Sequence, residues 1–129
     1  MKEERSEEIK VMLCSCEDCN NSENYFNELR ELGNNLNAKQ EYYDLPNFAK
    51  ALASKERLIL LNSLKEKDRC VCELEAILNK SQSTISHHLR KLEKAELVRG
   101  YKRGNYTYYG LLKDRMKTFI QILNKELQI

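Results

Sequence analysis

One proline and four glycines punctuate the 129 residues, so long helices with short connections are expected. No apolar run approaches the roughly 20 residues of a membrane span, and no membrane partner is expected. The opening MKEERSEEIK is charged throughout. It has neither the apolar stretch of a secretory signal nor the acid-poor character of a transit peptide, so a cytoplasmic location is expected. Internal repeats are lacking. The two histidines are adjacent, no glycine-rich phosphate loop occurs and no acid and base pair stands out, which argues against an enzyme. The cysteine count of five is odd, and with no secretion signal it argues against a disulfide framework.

What is present suits a soluble globular chain: 41% hydrophobic and 33% charged residues, in a length near that of one compact domain. The net charge of +2 hides a strong polarity. Residues 1–30 carry eight acidic and four basic side chains. Residues 81–107 carry six basic ones, Arg90, Lys91, Lys94, Arg99, Lys102 and Arg103, against Glu93 and Glu96. The second stretch suits a phosphate backbone, although basic stretches are often only solvated faces.

Tyr25, Leu29, Leu32 and Leu36 repeat at helical spacing and predict an amphipathic helix that ends near residues 33–37 or soon after. A second helix is expected after Pro46, carrying Phe48, Ala49 and Leu52. Ser54 reads as the N-cap of a third, whose apolar residues 58–61 and Leu64 are expected to be buried on most sides. CVCELEAILNK follows as a short helix with Leu74, Ile77 and Leu78 on its buried face. A turn at residues 80–82 separates it from STISHHLRKLEKA, which is helix-turn-helix spacing. LVRGYKRGNYTYYGL reads as a hairpin in which Gly104 supplies the positive φ of the turn. Met116, Phe119, Ile120, Leu123 and Leu127 draw one apolar stripe along a C-terminal helix, expected to pack against the first helix or its symmetry mate in a dimer. The architecture expected is mainly α with a β-hairpin wing: a dimeric winged helix-turn-helix. Residues 1–22 are expected to form a flexible, cysteine-containing segment and residues 23–129 the DNA-binding and dimerisation domain.

In the second helix of the pair, Ile85, Leu89 and Leu92 fall on one side, and Ser83, His87, Arg90 and Lys94 on the other. Gln82 starts it, and Thr84 and Ser86 flank its polar face near the N-terminal end, where a helix in the major groove touches base edges. Arg90 and Lys94 lie further along and suit phosphates. Lys102 and Arg103 at the wing tip suit the adjacent backbone or minor groove. His87 faces outward, either as a donor to DNA or as an ordinary solvated side chain. His88 reads as a packing residue. Tyr106, Tyr108 and Tyr109 read as strand and core residues rather than base-stacking platforms.

The cysteines fall in two groups, Cys14, Cys16 and Cys19 in LCSCEDCN and Cys70 and Cys72 in DRCVCEL. Two such clusters beside a helix-turn-helix point to a soft metal ion. The alternative is that Cys70 and Cys72 are small core residues and the other three are loose. Residues i and i+2 of a regular helix point to nearly opposite sides, so Cys70 and Cys72 share an ion only in a distorted first turn. Asp68 reads as the N-cap that puts them there, where the helix N-terminus favours thiolate. The Cys70 and Cys72 pair alone does not complete a tetrahedral or trigonal thiolate shell, so thiols from the N-terminal segment are needed as well. Three thiolates suit arsenite or antimonite, four suit cadmium, lead or zinc, and five cysteines permit either.

The stretch DRCVCELEAILNKSQSTISHHLRKLEKAELVRGYKRGNYTYYGL closely resembles the ArsR/SmtB family of metal-responsive repressors, including its CVC motif and its SHHL recognition helix. The likeness spans roughly residues 45–112. Within the family the N-terminal cysteines look most like the cadmium- and lead-sensing branch, in which tail thiolates join the CVC pair across a dimer. The resemblance implies a homodimer that holds double-stranded operator DNA without metal and releases it when a soft ion binds. Two departures stand out. DRMKTFIQILNKELQ lacks histidine, so the family's zinc site on the C-terminal helix is not expected. Glu96 stands where many members have glycine, at a cost of about 1 kcal/mol if its φ is positive. Two other readings of the cysteines are a thiol-redox switch on the same DNA-binding fold and a structural-zinc module for protein partners.

Overall fold

A computed structural model describes residues 2–15 and 21–129, and the chain divides into two compact units, Met1–Tyr42 and Tyr43–Ile129. The first unit pairs helix α1 (Glu3–Leu13) with α2 (Ser22–Ala38). Asn21 caps α2 by accepting from the backbone N–H groups of Glu23 and Asn24 at 3.0 and 3.2 Å, which satisfies two donors that have no partner within the helix. Gly33 does not stop α2. Neither helix buries a residue, and Leu29 and Leu32 remain exposed.

The second unit holds all but the first two residues of α3 (Glu41–Leu52), then α4 (Lys55–Ser63), a short strand β1 (Arg69–Cys70), α5 (Val71–Leu78), α6 (Gln82–Lys94), the hairpin β2 (Val98–Arg103) and β3 (Tyr106–Leu111), and α7 (Lys113–Leu127). α3 starts before Pro46, where the sequence placed its beginning. Its buried face is Leu45, Phe48 and Ala51, so the apolar period already runs upstream of the proline. Phe48 stacks on Phe119 of α7 with ring centres 4.5 Å apart, an arrangement aromatic rings favour. Ser54 caps α4 as expected, its hydroxyl accepting from Arg57 N–H at 3.3 Å.

The core is built from Leu60, Leu61, Leu64, Leu74, Ile85, Leu89, Leu92, Leu97 and Val98 with the α3 face and Phe119. Leu58, Ile59 and Ile77, expected inside, are exposed. Short helices bury one stripe only, and on α4 that stripe is Arg57, Leu60 and Leu61. Ile120 and Leu127 of α7 are likewise exposed. Among the described residues no helix is long and apolar enough to cross a membrane.

The sheet has the order β1-β3-β2 and is antiparallel throughout. Gly104, at φ 65°, turns the hairpin, while Tyr106, expected in the core, is exposed near its tip. The strand β1 was not legible in the sequence; it pairs Cys70 with Tyr108 and Arg69 with Tyr109.

Helix α6 ends in a Schellman arrangement. Leu97 N–H donates to Leu92 C=O and Glu96 N–H to Glu93 C=O, both at 2.9 Å, with Glu96 left-handed at φ 60°. Glycine takes this conformation without steric cost. Glu96 also pairs with Arg115, but both side chains are largely solvated, so the pair contributes little. Glu96→Gly is expected to raise stability by about 1 kcal/mol. Urea denaturation checks this through a higher midpoint at unchanged slope.

Candidate metal centre and nucleic-acid interface

The two thiols of α5 converge because only one of them is helical. Cys70 has extended backbone, φ −78° and ψ 161°, and is itself the N-cap of α5; Cys72 is the second residue of the helix. This corrects the expectation that Asp68 caps the helix and that a distorted turn brings the thiols together. The chain enters as a strand, and the change of backbone at Cys70 swings its side chain toward Cys72. The Sγ atoms lie 2.6 Å apart. Cys70 is buried, whereas Cys72 is exposed.

Glu73 completes a capping box. Its backbone donates to the Cys70 sulfur, and its carboxylate accepts from Cys70 N–H at 3.1 Å and from Arg69 at 3.2 Å. That backbone donor holds the Glu73 carboxyl below the usual carboxylate range. The Cys70 sulfur is thus helix cap and potential ligand at once. The hydrogen bond shared with the neighbouring Cys70 sulfur, with desolvation, pushes the Cys72 thiol up, and outweighs the backbone donors that pull it down. The helix N-terminus alone therefore does not secure a thiolate at Cys72, and metal capture must displace protons.

A pair of soft sulfur donors converging from one turn fits a soft ion. It supplies two ligands only, and no cluster of three or more His, Cys, Asp or Glu side chains able to hold a metal is assembled among the described residues. Of the other candidate thiols, Cys14 is free and exposed at the end of α1 in the first unit, and Cys16 and Cys19 lie outside the described residues. Cys72 borders a cavity of about 300 Å³ whose walls include Glu75, Gln82, Lys102 and Tyr106. The exposed thiol thus opens between the start of α6 and the hairpin tip.

The candidate DNA-reading residues lie on α6 and the hairpin. Ser81 caps α6, accepting from Thr84 N–H at 3.3 Å. Ile85, Leu89 and Leu92 are buried, and Gln82, Ser83, His87, Arg90 and Lys94 are exposed. Ser86 is half-buried. Thr84, taken from sequence as free to approach a base, accepts a 2.9 Å hydrogen bond from the Ser81 hydroxyl. Lys102 and Arg103 are exposed at the end of β2.

His88 is half-buried, but its partner is polar. Arg57, 7% exposed, donates from Nε to Ala51 C=O at 2.6 Å and from Nη2 to Lys50 C=O at 3.1 Å. Its Nη1 lies 3.1 Å from His88 Nδ1. Arginine only donates, so Nδ1 accepts and the neutral ring carries its proton on Nε2. One buried guanidinium therefore closes the C-terminus of α3 and fastens the back of α6. Desolvation, then the Arg57 charge, holds His88 below the usual histidine range. Arg57 was not legible in the sequence, where it follows Lys55 and Glu56 and merely borders the apolar residues 58–61.

Residues 54–99 match the family described as bacterial regulatory protein, arsR family. An uncharacterised HTH-type transcriptional regulator of Methanocaldococcus jannaschii is 36% identical over 87 residues, covering 67% of this chain and 98% of that protein. The chain belongs to the ArsR family. The cadmium resistance transcriptional regulatory protein CadC of Listeria innocua is 35% identical over 93 residues, 69% of this chain and 78% of that one. The solution structure of a homodimeric winged helix-turn-helix DNA-binding domain from Mycobacterium bovis matches with a TM-score of 0.56 and 26% identity, over 67% of this chain and 83% of that one. This ArsR-family chain is accordingly a winged-helix transcriptional regulator and not an enzyme. In it α5 and α6 are the helix-turn-helix, and β2 and β3 the wing.

Proposed function

We propose that this ArsR-family regulator is a cytoplasmic repressor that binds operator DNA as a homodimer and releases it when a soft metal or metalloid ion is captured by Cys70 and Cys72 with thiols of the N-terminal segment. The observation that carries the reading is the convergence of the Cys70 and Cys72 sulfurs, 2.6 Å apart, at the first turn of the helix that precedes the recognition helix. The printed name of the CadC relative, a cadmium resistance regulator, supports it. In this reading Gln82, Ser83, Ser86 and His87 meet base edges, while Arg90, Lys94, Lys102 and Arg103 meet the backbone. Exposed Ile120 and Leu127 on α7 and the homodimeric relative support the dimer. Two recognition helices then read half-sites about one helical turn apart. When bound, the ion supplies charge and bonds that draw thiolates from separate segments together; Cys70 and Cys72 orient it, and Glu73 holds the Cys70 backbone.

The experiment is fluorescence anisotropy on a duplex that the reduced protein itself selects from a random-sequence pool, with and without Cd(II). Typical coupling between sites corresponds to a 5–150-fold loss of DNA affinity on ion binding. Unchanged affinity at saturating Cd(II) and As(III) contradicts the sensing role. Release by peroxide in place of either ion, through a disulfide formed as two thiols give up two protons and two electrons to the oxidant, points instead to a redox switch.

A further inference from the structure

The sheet register sets Cys70, Tyr108 and Tyr101 in one row across β1, β3 and β2. Side chains two residues apart on a strand share a face, so Arg99 and Arg103 stand on the same side as Tyr101. Their guanidinium carbons lie 5.7 and 5.3 Å from the ring centres of Tyr101 and Tyr108. Asp68, immediately before β1, turns onto this face as well. Its Oδ2 accepts a hydrogen bond from the Tyr101 hydroxyl at 2.5 Å across 33 residues of sequence, and Tyr101 leads directly into Lys102 and Arg103.

Gly110 makes room for this contact. A Cβ there would lie 2.5 Å from Asp68 Oδ1. The segment that carries the thiol pair is therefore fastened to both strands of the wing, by backbone pairing to β3 and by the Asp68 carboxylate to β2. An ion bound to both sulfurs would fix their positions through its bonds, and any shift of Cys70 would pull on Asp68, two residues before it.

We infer that the Asp68–Tyr101 hydrogen bond is a positioning link that transmits ion capture at Cys70 and Cys72 to the DNA-contacting tip of the wing. This rests on the metal-sensing reading above. Through it, the wing senses the ion along a route other than the α5–α6 packing.

The test is Tyr101→Phe in the full chain, which removes one hydroxyl from a surface position. Cd(II) occupancy is followed by thiolate-to-metal absorption, and affinity for the selected duplex is measured at zero and full occupancy. The wild type is expected to lose 5–150-fold in affinity, and Tyr101→Phe less than about fivefold at equal occupancy. Asp68→Asn, which keeps an acceptor oxygen, is expected to retain the wild-type ratio. A purely structural role for the hydroxyl would lower the metal-free affinity and leave that ratio unchanged. An equal ratio in wild type and Tyr101→Phe overturns the link while the sensing role stands. A wild type that binds Cd(II) without losing affinity overturns both.

Discussion

Cys72→Ser is expected to leave metal-free operator affinity within about threefold of the wild type, as for an ordinary surface change, and to abolish the 5–150-fold loss on Cd(II) addition. The asymmetry of the thiol pair makes this a clean experiment. Cys72 is exposed, so the substitution removes a ligand and little else. Cys70 is buried and caps α5. Serine at position 70 loses the apolar character of a buried thiol but is itself a favoured N-cap. Cys70→Ser should therefore also lose the response, with a stability change within about 1 kcal/mol. Anisotropy with and without Cd(II) reads both variants, and thermal melts separate the small effects on folding.

Arg57→Ala is expected to destabilise the second unit by about 3 kcal/mol, since it strips partners from two backbone carbonyls and the His88 Nδ1 and removes a buried side chain. For a unit of this size that lowers the melting temperature by roughly 12–24 °C. Circular dichroism melts check it. The same contact gives the fold a sensitivity to acid. His88 is held below its ordinary value by desolvation and by Arg57, so the unfolded chain, titrating near pH 6.5, takes up a proton before the folded one does. Stability is therefore fully present above about pH 6.5 and falls as the pH drops below it toward the folded-state value. The ring must also be neutral for Nδ1 to accept from Arg57. His88→Gln, which keeps a neutral acceptor, should flatten the stability profile between about pH 7 and 5.5. The carboxyls of Glu56 and Glu73, both held low, act only in the more acidic range below about pH 4.5.

The elements best legible in the sequence are those whose signals are local. Ser54 caps α4, Gly104 turns the wing, and the Ile85, Leu89 and Leu92 period fixes the buried side of α6. What was not legible depends on contacts far apart in the chain. Asp68 looked like a helix cap because capping residues lie just ahead of helices; its carboxylate instead reaches Tyr101 on another strand. The cap is Cys70, and the Cys70 to Glu73 spacing of a capping box was its one local signal. Strand β1, two residues long, is too short to show alternation. Arg57 is buried because the end of α3 needs donors there, which no pattern in the primary chain displays. Thiol convergence, too, was expected for the wrong reason: the strand-to-helix change at Cys70 brings the sulfurs together.

Direct evidence for the central claim would come from anaerobic titration of the fully reduced full-length protein with Cd(II), followed by thiolate-to-metal absorption in the ultraviolet. The account expects a band that grows to a fixed stoichiometry and is lost from the Cys70→Ser/Cys72→Ser double variant. A reduced protein with no such band, or a double variant that retains it undiminished, would contradict the assignment of these two sulfurs as the sensing site.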